Sequence, residues 1–117
     1  MNIESFREYC LAKKAVTEEL PFGPDTLVFK VMGKMFALTG VNEFKSINLK
    51  CNPEKAIQLR EEYEAVIPGY HMNKKSWNTV NMDGSITEPL LKQWIDDSYN
   101  LVVEGLTKKD KEFLNNL

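Results

Sequence analysis

Two alternating segments on either side of Gly33-Lys34 constrain the fold of this chain most strongly. Residues 27–32 and 35–40 both alternate apolar side chains with other residues at the period of a β-strand. A glycine at the first position of a two-residue connection is typical of a type II′ turn, so the two segments predict a hairpin. In the predicted register Met32 pairs with Met35, and one face of the hairpin is apolar through Leu27, Phe29, Val31, Phe36 and Leu38.

The rest of the chain predicts two further strands and four helices. Residues 46–51 and 77–82 alternate again, and the first of these segments turns Ile47 and Leu49 inward. Capping and start signals predict helices over residues 3–15 after Asn2, from Asn52-Pro53 to about residue 63, from Thr87 to Gly105, and from Thr107 onward.

This order predicts one α+β domain over residues 1–117. Its antiparallel sheet consists of a three-strand meander plus a later strand, with helices on one face in a two-layer sandwich. The second helix is expected to bury Ala56, Ile57, Leu59 or Tyr63, and the last helix to bury Phe113, Leu114 and Leu117. The sheet face away from the helices is expected to carry Lys30, Thr39, Asn48 and Lys50.

The charge and cysteine content restrict the class of protein. The formal net charge of the 117 residues is −2, so an anion-binding surface requires a local patch, and lysines do gather in the strands and in residues 68–84. No apolar run reaches the roughly 18 residues that span a bilayer, and the charged start of the chain does not resemble a signal peptide. Cys10 and Cys51 lie outside any CxxC motif. We expect a cytoplasmic monomer with reduced thiols and no membrane contact.

Residues 68–84 hold the single histidine of the sequence and a tryptophan between two predicted helices. One hypothesis is a small pocket in which His71 and Lys74 hold an anion, with Asn73 nearby and Trp77 as a stacking platform. The alternative is a surface loop followed by a core tryptophan, since a tryptophan that begins a strand is usually buried.

The sequence shows no pattern typical of a catalytic or metal centre. One histidine and two separated cysteines give no metal-ligand spacing. Both cysteines fall on predicted apolar faces, where inert thiols are common. The carboxylates of Asp96 and Asp97 diverge by about 100° on a helix and do not converge on one atom. We therefore expect a protein that is not an enzyme and that has no cofactor.

Four motifs in this order and spacing resemble the MmcQ/YjbR family over nearly the whole chain. They are VFKVMGKMFAL at 28–38, NLKCNPEKAIQLRE at 48–61, IPGYHMNKKSWNTV at 67–80 and SYNLV at 98–102. The resemblance implies a fold like that of the CyaY/frataxin group, and DNA binding through a double-wing arrangement of hairpins and loops. Carried over by position, the family's polar sites correspond to Lys30, Lys34, Lys50, Arg60, His71, Asn73, Lys74 and Trp77. Iron binding does not follow from the fold, because the first helix lacks a dense acidic ridge.

Three interpretations of these residues stay open. The first is a double-stranded-DNA-binding protein that contacts mainly phosphates, because arginine is the usual reader of guanine and only Arg7 and Arg60 are present. The second is a module that binds an anionic small molecule or a protein through a pocket around His71 and Trp77. The third is that the strand lysines are merely solvated and discourage edge pairing.

Overall fold

The computed structural model describes residues 1–69 and 72–117 and confirms the α+β architecture. One antiparallel sheet has the strand order β1-β2-β3-β4-β6-β5. The elements are α1 (Ile3–Leu11), β1 (Val16–Glu19), β2 (Thr26–Val31), β3 (Lys34–Gly40), β4 (Ser46–Lys50), α2 (Pro53–Glu62), β5 (Val66–Pro68), β6 (Trp77–Asn81), α3 (Glu88–Glu104) and α4 (Lys108–Asn115).

Local capping signals start the helices where the sequence predicts. Asn2 and Ser5 form a reciprocal capping box at α1, and the Asn52 side chain accepts the Glu54 amide before Pro53 opens α2. The Thr107 side chain accepts the Asp110 amide at α4, whereas Thr87 precedes α3 without a side-chain cap. None of the helices in the described part of the chain combines the length and apolar character needed to cross a bilayer.

The core lies between the helices and one face of the sheet. α3 packs on β3 and β4 with Leu91, Trp94 and Ile95 buried. Its Ser98 hydroxyl donates to the Phe36 carbonyl at 2.6 Å and accepts the Lys50 amide at 2.8 Å. Because both strands are bound by one buried hydroxyl, the position of α3 fixes the end of β4 that carries Lys50.

The hairpin is confirmed, but its predicted register is wrong. The connecting residues are Met32 and Gly33, whose φ values of 50° and 80° suit a type I′ turn. Val31 therefore pairs with Lys34, and a bulge follows before Phe29 pairs with Ala37. The bulge lets both Phe36 and Ala37 join the core, so Leu38 pairs with Val28 and turns to the opposite face.

The face of the sheet away from the main core differs from the prediction. Val28, Leu38 and Trp77 form a small buried cluster there, with Met35 and Met72 packed against it. Thr39 was expected to look outward, but it pairs with Leu27, is buried, and donates to the Ser46 carbonyl at 2.9 Å.

Three residues that were expected on buried helix faces are exposed, and one of them, Leu117, lies beyond the end of α4. Ile57 is 53% exposed, and Phe113 and Leu117 are each 58% exposed. Their neighbours Ala56, Leu59 and Leu114 supply the buried contacts of α2 and α4 instead. The apolar stripes of these short helices are thus narrower than the sequence pattern indicates.

Candidate functional site

Four lysines meet at one end of the sheet, which we call the hairpin end. This end contains the Met32-Gly33 turn between β2 and β3. It also contains Lys50, the last residue of β4, and Trp77, the first residue of β6, which pair with each other. Lys34 follows the turn, and Lys74 and Lys75 precede β6. We call Lys34, Lys50, Lys74 and Lys75 the hairpin-end lysines.

Lys34 and Lys50 line one shallow hollow at this end. Met35 and Trp77 form part of its wall, and the last turn of α3 closes it near Gly105. Lys34 is exposed and Lys50 is half-buried. The β4–β6 pairing is continued by the Cys51 amide, which donates to the Ser76 carbonyl at 2.7 Å. This bond holds the loop with Lys74 and Lys75 beside the end of β4.

The loop before β6 is ordered by its own hydrogen bonds. The Asn73 side chain accepts the Lys75 amide at 2.9 Å, and the Asn73 carbonyl accepts the Ser76 and Trp77 amides. Asn73 therefore shapes the turn that displays the two lysines, in the manner of an Asx turn.

Arg60 braces the same loop from the last turn of α2. Its Nε donates to Asn78 Oδ1 at 2.6 Å, and Nη2 donates to the carbonyls of Lys74 and Trp77. Asn78 in turn donates to the Ala56 carbonyl. The guanidinium is thus engaged in joining α2 to β6, and it positions Lys74 through that residue's backbone.

Ion pairing separates the lysines into two groups. Lys30 Nζ lies 3.3 Å from Glu19 on the neighbouring strand, and Lys45 Nζ lies 2.7 Å from Glu43. Across residues 1–69 and 72–117, no hairpin-end lysine has a carboxylate oxygen within 4.0 Å. Other described lysines, such as Lys55 and Lys109, also lack such a partner. The hairpin end is distinguished because four lysines without a carboxylate partner gather there, whereas Lys30 on the sheet face is paired with Glu19.

Trp77 is only 7% exposed and packs in the small cluster with Val28 and Leu38. This burial agrees with the alternative in which Trp77 is a core residue, and it removes most of the ring surface from stacking. His71, which the pocket hypothesis pairs with Lys74 around an anion, lies outside the described residues.

A separate cavity of about 200 Å³ lies between α2, α3 and the β4–β6 pair. The sequence did not predict it, because its walls come from five elements that are distant in the chain. The polar groups on its rim include Cys51, Lys55 and Asp97, and the apolar wall consists of Leu49, Leu59, Val66, Val80, Trp94 and Leu101.

Neither cysteine shows the features of an activated thiol. Burial raises the pKa of Cys10 to about 12, and burial together with the Asp97 charge raises the pKa of Cys51. A raised pKa disfavours the nucleophilic thiolate. Among the described residues, no three His, Cys, Asp or Glu side chains form a group that could hold a metal.

Comparison with known proteins identifies a matching protein family and several relatives. The YjbR family model matches residues 11–101. Uncharacterized protein YbdF of Escherichia coli O157:H7 is 46% identical over 93 residues, covering 79% of this chain and 76% of that protein. Uncharacterized protein YjbR of Escherichia coli K12 is 30% identical over 115 residues, covering 97% of this chain and 98% of that protein.

Solved structures share the fold. The crystal structure of a Deinococcus radiodurans protein with a DUF419 domain superposes with a TM-score of 0.90 at 36% identity, covering 97% of this chain and 88% of that one. A crystal structure of a Pseudomonas syringae protein gives a TM-score of 0.73 at 32% identity, covering 86% of this chain and 98% of that one.

Proposed function

The chain belongs to the YjbR family, as its motifs predict, and we propose that it is a non-enzymatic DNA-binding protein that contacts phosphates through the hairpin-end lysines. The observation that carries the proposal is the set of lysines Lys34, Lys50, Lys74 and Lys75 at one end of the sheet, without a carboxylate partner in the described part of the chain. Such a role belongs in the cytoplasm, where bacterial DNA is held.

Charge separation reconciles this role with a formal net charge of −2. Part of the acidic charge is held in ion pairs with cations other than the hairpin-end lysines, as in Arg7 with Glu18 and Lys13 with Asp96. A duplex approaching the hairpin end meets unpaired ammonium groups within a Debye length of about 8 Å at physiological salt. Local charge then decides the encounter more than net charge does.

The contacts are mainly to the sugar-phosphate backbone. Arginine is the usual bidentate reader of guanine, but Arg60 is engaged with Asn78 and two backbone carbonyls, and Arg7 pairs with Glu18. The ammonium groups of lysine act as point charges on phosphates and carry little sequence information. We expect affinity for generic duplexes with weak preference among sequences.

A salt titration with matched charge variants tests the proposal. The double variant Lys34→Gln/Lys74→Gln removes two unpaired charges, and Lys30→Gln/Lys45→Gln removes two charges that are already paired with Glu19 and Glu43. Each released counterion contributes about 0.9 to the slope of log Kobs against log salt. The first variant is expected to lower the magnitude of the slope by about 2, and the second to leave it nearly unchanged.

Two outcomes would reject the proposal. One is the absence of duplex binding by the wild-type chain even at low salt. The other is an equal loss of slope in both double variants, which would mean that net charge alone governs the interaction.

A further inference from the structure

The cavity between α2 and α3 has the size and lining of a small-molecule site. Its volume of about 200 Å³ exceeds the roughly 150 Å³ of an engineered apolar cavity that binds benzene. Trp94, Leu59 and Val80 lie in its wall. The enclosed part can therefore take one ring or one branched aliphatic chain, and any polar group of a ligand must remain at the rim.

The rim of the cavity carries a negative charge at Asp97 and a positive charge at Lys55. Asp97 raises the pKa of the Cys51 thiol and Lys55 lowers it, so both charges act on one point of the rim. Among the described residues they form no ion pair within 4.0 Å. The side-chain Nε2 of Gln93 donates to Asp97 Oδ1 at 2.8 Å, and this bond orients the carboxylate. Arg60 also lowers the Cys51 pKa, but its guanidinium is engaged with Asn78 and backbone carbonyls.

We propose that this cavity binds a small zwitterion with an apolar side chain, of the class represented by L-leucine. The side chain would lie against Trp94, the ammonium group at Asp97 and the carboxylate at Lys55. This inference is independent of DNA binding, because Lys34, Lys74 and Lys75 do not line the cavity. Lys50 and Leu101 line both this cavity and the hollow at the hairpin end, and Lys50 is the one hairpin-end lysine among them.

Three ligands that share one branched apolar chain distinguish recognition of the charged groups from simple filling of an apolar space. L-leucine carries both charges, isoamylamine lacks the carboxylate and 4-methylpentanoate lacks the amine. The readout is the indole N–H signal of Trp94 in a heteronuclear NMR titration, with the Trp77 indole as an internal control because Trp77 lies outside this cavity. L-leucine is expected to shift only the Trp94 signal, and each analogue to bind at least about tenfold more weakly.

Variants assign the two head-group contacts. Asp97→Asn is expected to weaken the binding of L-leucine but not that of 4-methylpentanoate. Lys55→Gln is expected to weaken the binding of L-leucine but not that of isoamylamine. Lys109→Gln and Glu112→Gln are matched controls on exposed positions of α4. Cys51→Leu should fill the rim and abolish the Trp94 shift, whereas Cys51→Ser should retain it.

Either of two results overturns the proposal. The first is no Trp94 shift with millimolar L-leucine in a folded wild-type chain. The second is binding of both analogues as tightly as L-leucine, which would show an apolar cavity without head-group recognition. Loss of duplex binding in the salt titration would leave both tests unaffected, so the two proposals fail separately.

Discussion

At the scale of single residues, Arg60 uses its guanidinium to stabilise the fold through hydrogen bonds. Its side chain holds Asn78, which is 3% exposed, and the carbonyls of Lys74 and Trp77. Removing the guanidinium leaves the buried Asn78 Oδ1 without the donor that Arg60 supplies, whereas the Trp77 carbonyl still accepts the Gly69 amide at 2.8 Å. A hydrogen bond to a charged group typically contributes about 1.5–3 kcal/mol, whereas an exposed ion pair contributes about 0–1 kcal/mol.

Arg60→Gln is therefore expected to lower the free energy of unfolding by about 2–3 kcal/mol. Lys30→Gln removes a more exposed ion pair with Glu19 and is expected to cost less than about 1 kcal/mol. Urea denaturation of both variants measures the difference. Equal losses would contradict the bracing role of Arg60.

The two thiols give a second test at the same scale. A pKa of about 12 reduces the thiolate fraction of Cys10 at neutral pH by roughly three orders of magnitude relative to an exposed thiol. Cys51 is only half-buried, and its pKa is raised partly by Asp97.

Alkylation followed by mass spectrometry should therefore label Cys51 first and Cys10 only on unfolding. The rate at Cys51 is expected to rise with pH as the thiolate forms, and to be faster in Asp97→Asn because a negative charge that raises the pKa is gone. Labelling of Cys10 before Cys51 in the native protein would contradict the burial of Cys10.

At the scale of elements, the sequence predicted the helix starts correctly but missed two of the strands. Asn2 and Asn52-Pro53 mark the helix starts because capping depends on a few adjacent residues. β1 and β5 were missed: β1 reads VTEE, and β5 has three residues ending in Pro68. Their strand state comes from pairing with β2 and β6, which no short window contains.

The same limit explains the errors at the hairpin and at the candidate site. The bulge that places both Phe36 and Ala37 in the core is set by packing beneath α3, not by the turn residues. Lys30 was placed on an open basic face because its partner Glu19 belongs to the missed strand β1. Lys34, Lys50 and Lys74 are among the site residues that the family resemblance implies, whereas Lys75 is not. That they lie at one end of the sheet follows from the pairing of β4 with β3 and β6, which the local sequence does not contain.

The pairing of β5 with β6 depends on close approach at Gly69. Its amide donates to the Trp77 carbonyl at 2.8 Å, and a Cβ at this position would lie 2.8 Å from both that oxygen and Trp77 Cβ. Gly69→Ala is expected to lower the free energy of unfolding by about 1–3 kcal/mol, because backbone must move.

Gly105→Ala is the matched control for Gly69→Ala. Its nearest new contact would be an ordinary 3.5 Å, and its φ of −83° suits an L-residue, so the change is expected to be neutral or slightly stabilising. Thermal denaturation of the two variants makes the comparison. A Gly69→Ala chain as stable as wild type would show that the β5–β6 contact is looser than described.

At the scale of the whole molecule, the distribution of paired and unpaired charge gives the protein two unlike ends. The opposite end of the sheet carries Lys45 in an ion pair with Glu43, and the hairpin end carries lysines without such partners in the described residues. Under the proposed DNA-binding role, this polarity would orient a chain of net negative charge with its hairpin end toward the duplex.

The most direct test of the central claim is an NMR titration of the labelled chain with a generic DNA duplex at low salt. The amide signals of Lys34, Lys50, Lys74 and Lys75 are expected to shift most, with those of Gly40 and Ser46 at the opposite end nearly unmoved, and the shifts should fade as salt rises. Shifts centred on Lys30 and Asn48, or none at any amide, would contradict the assignment of the hairpin end as the DNA-contacting surface.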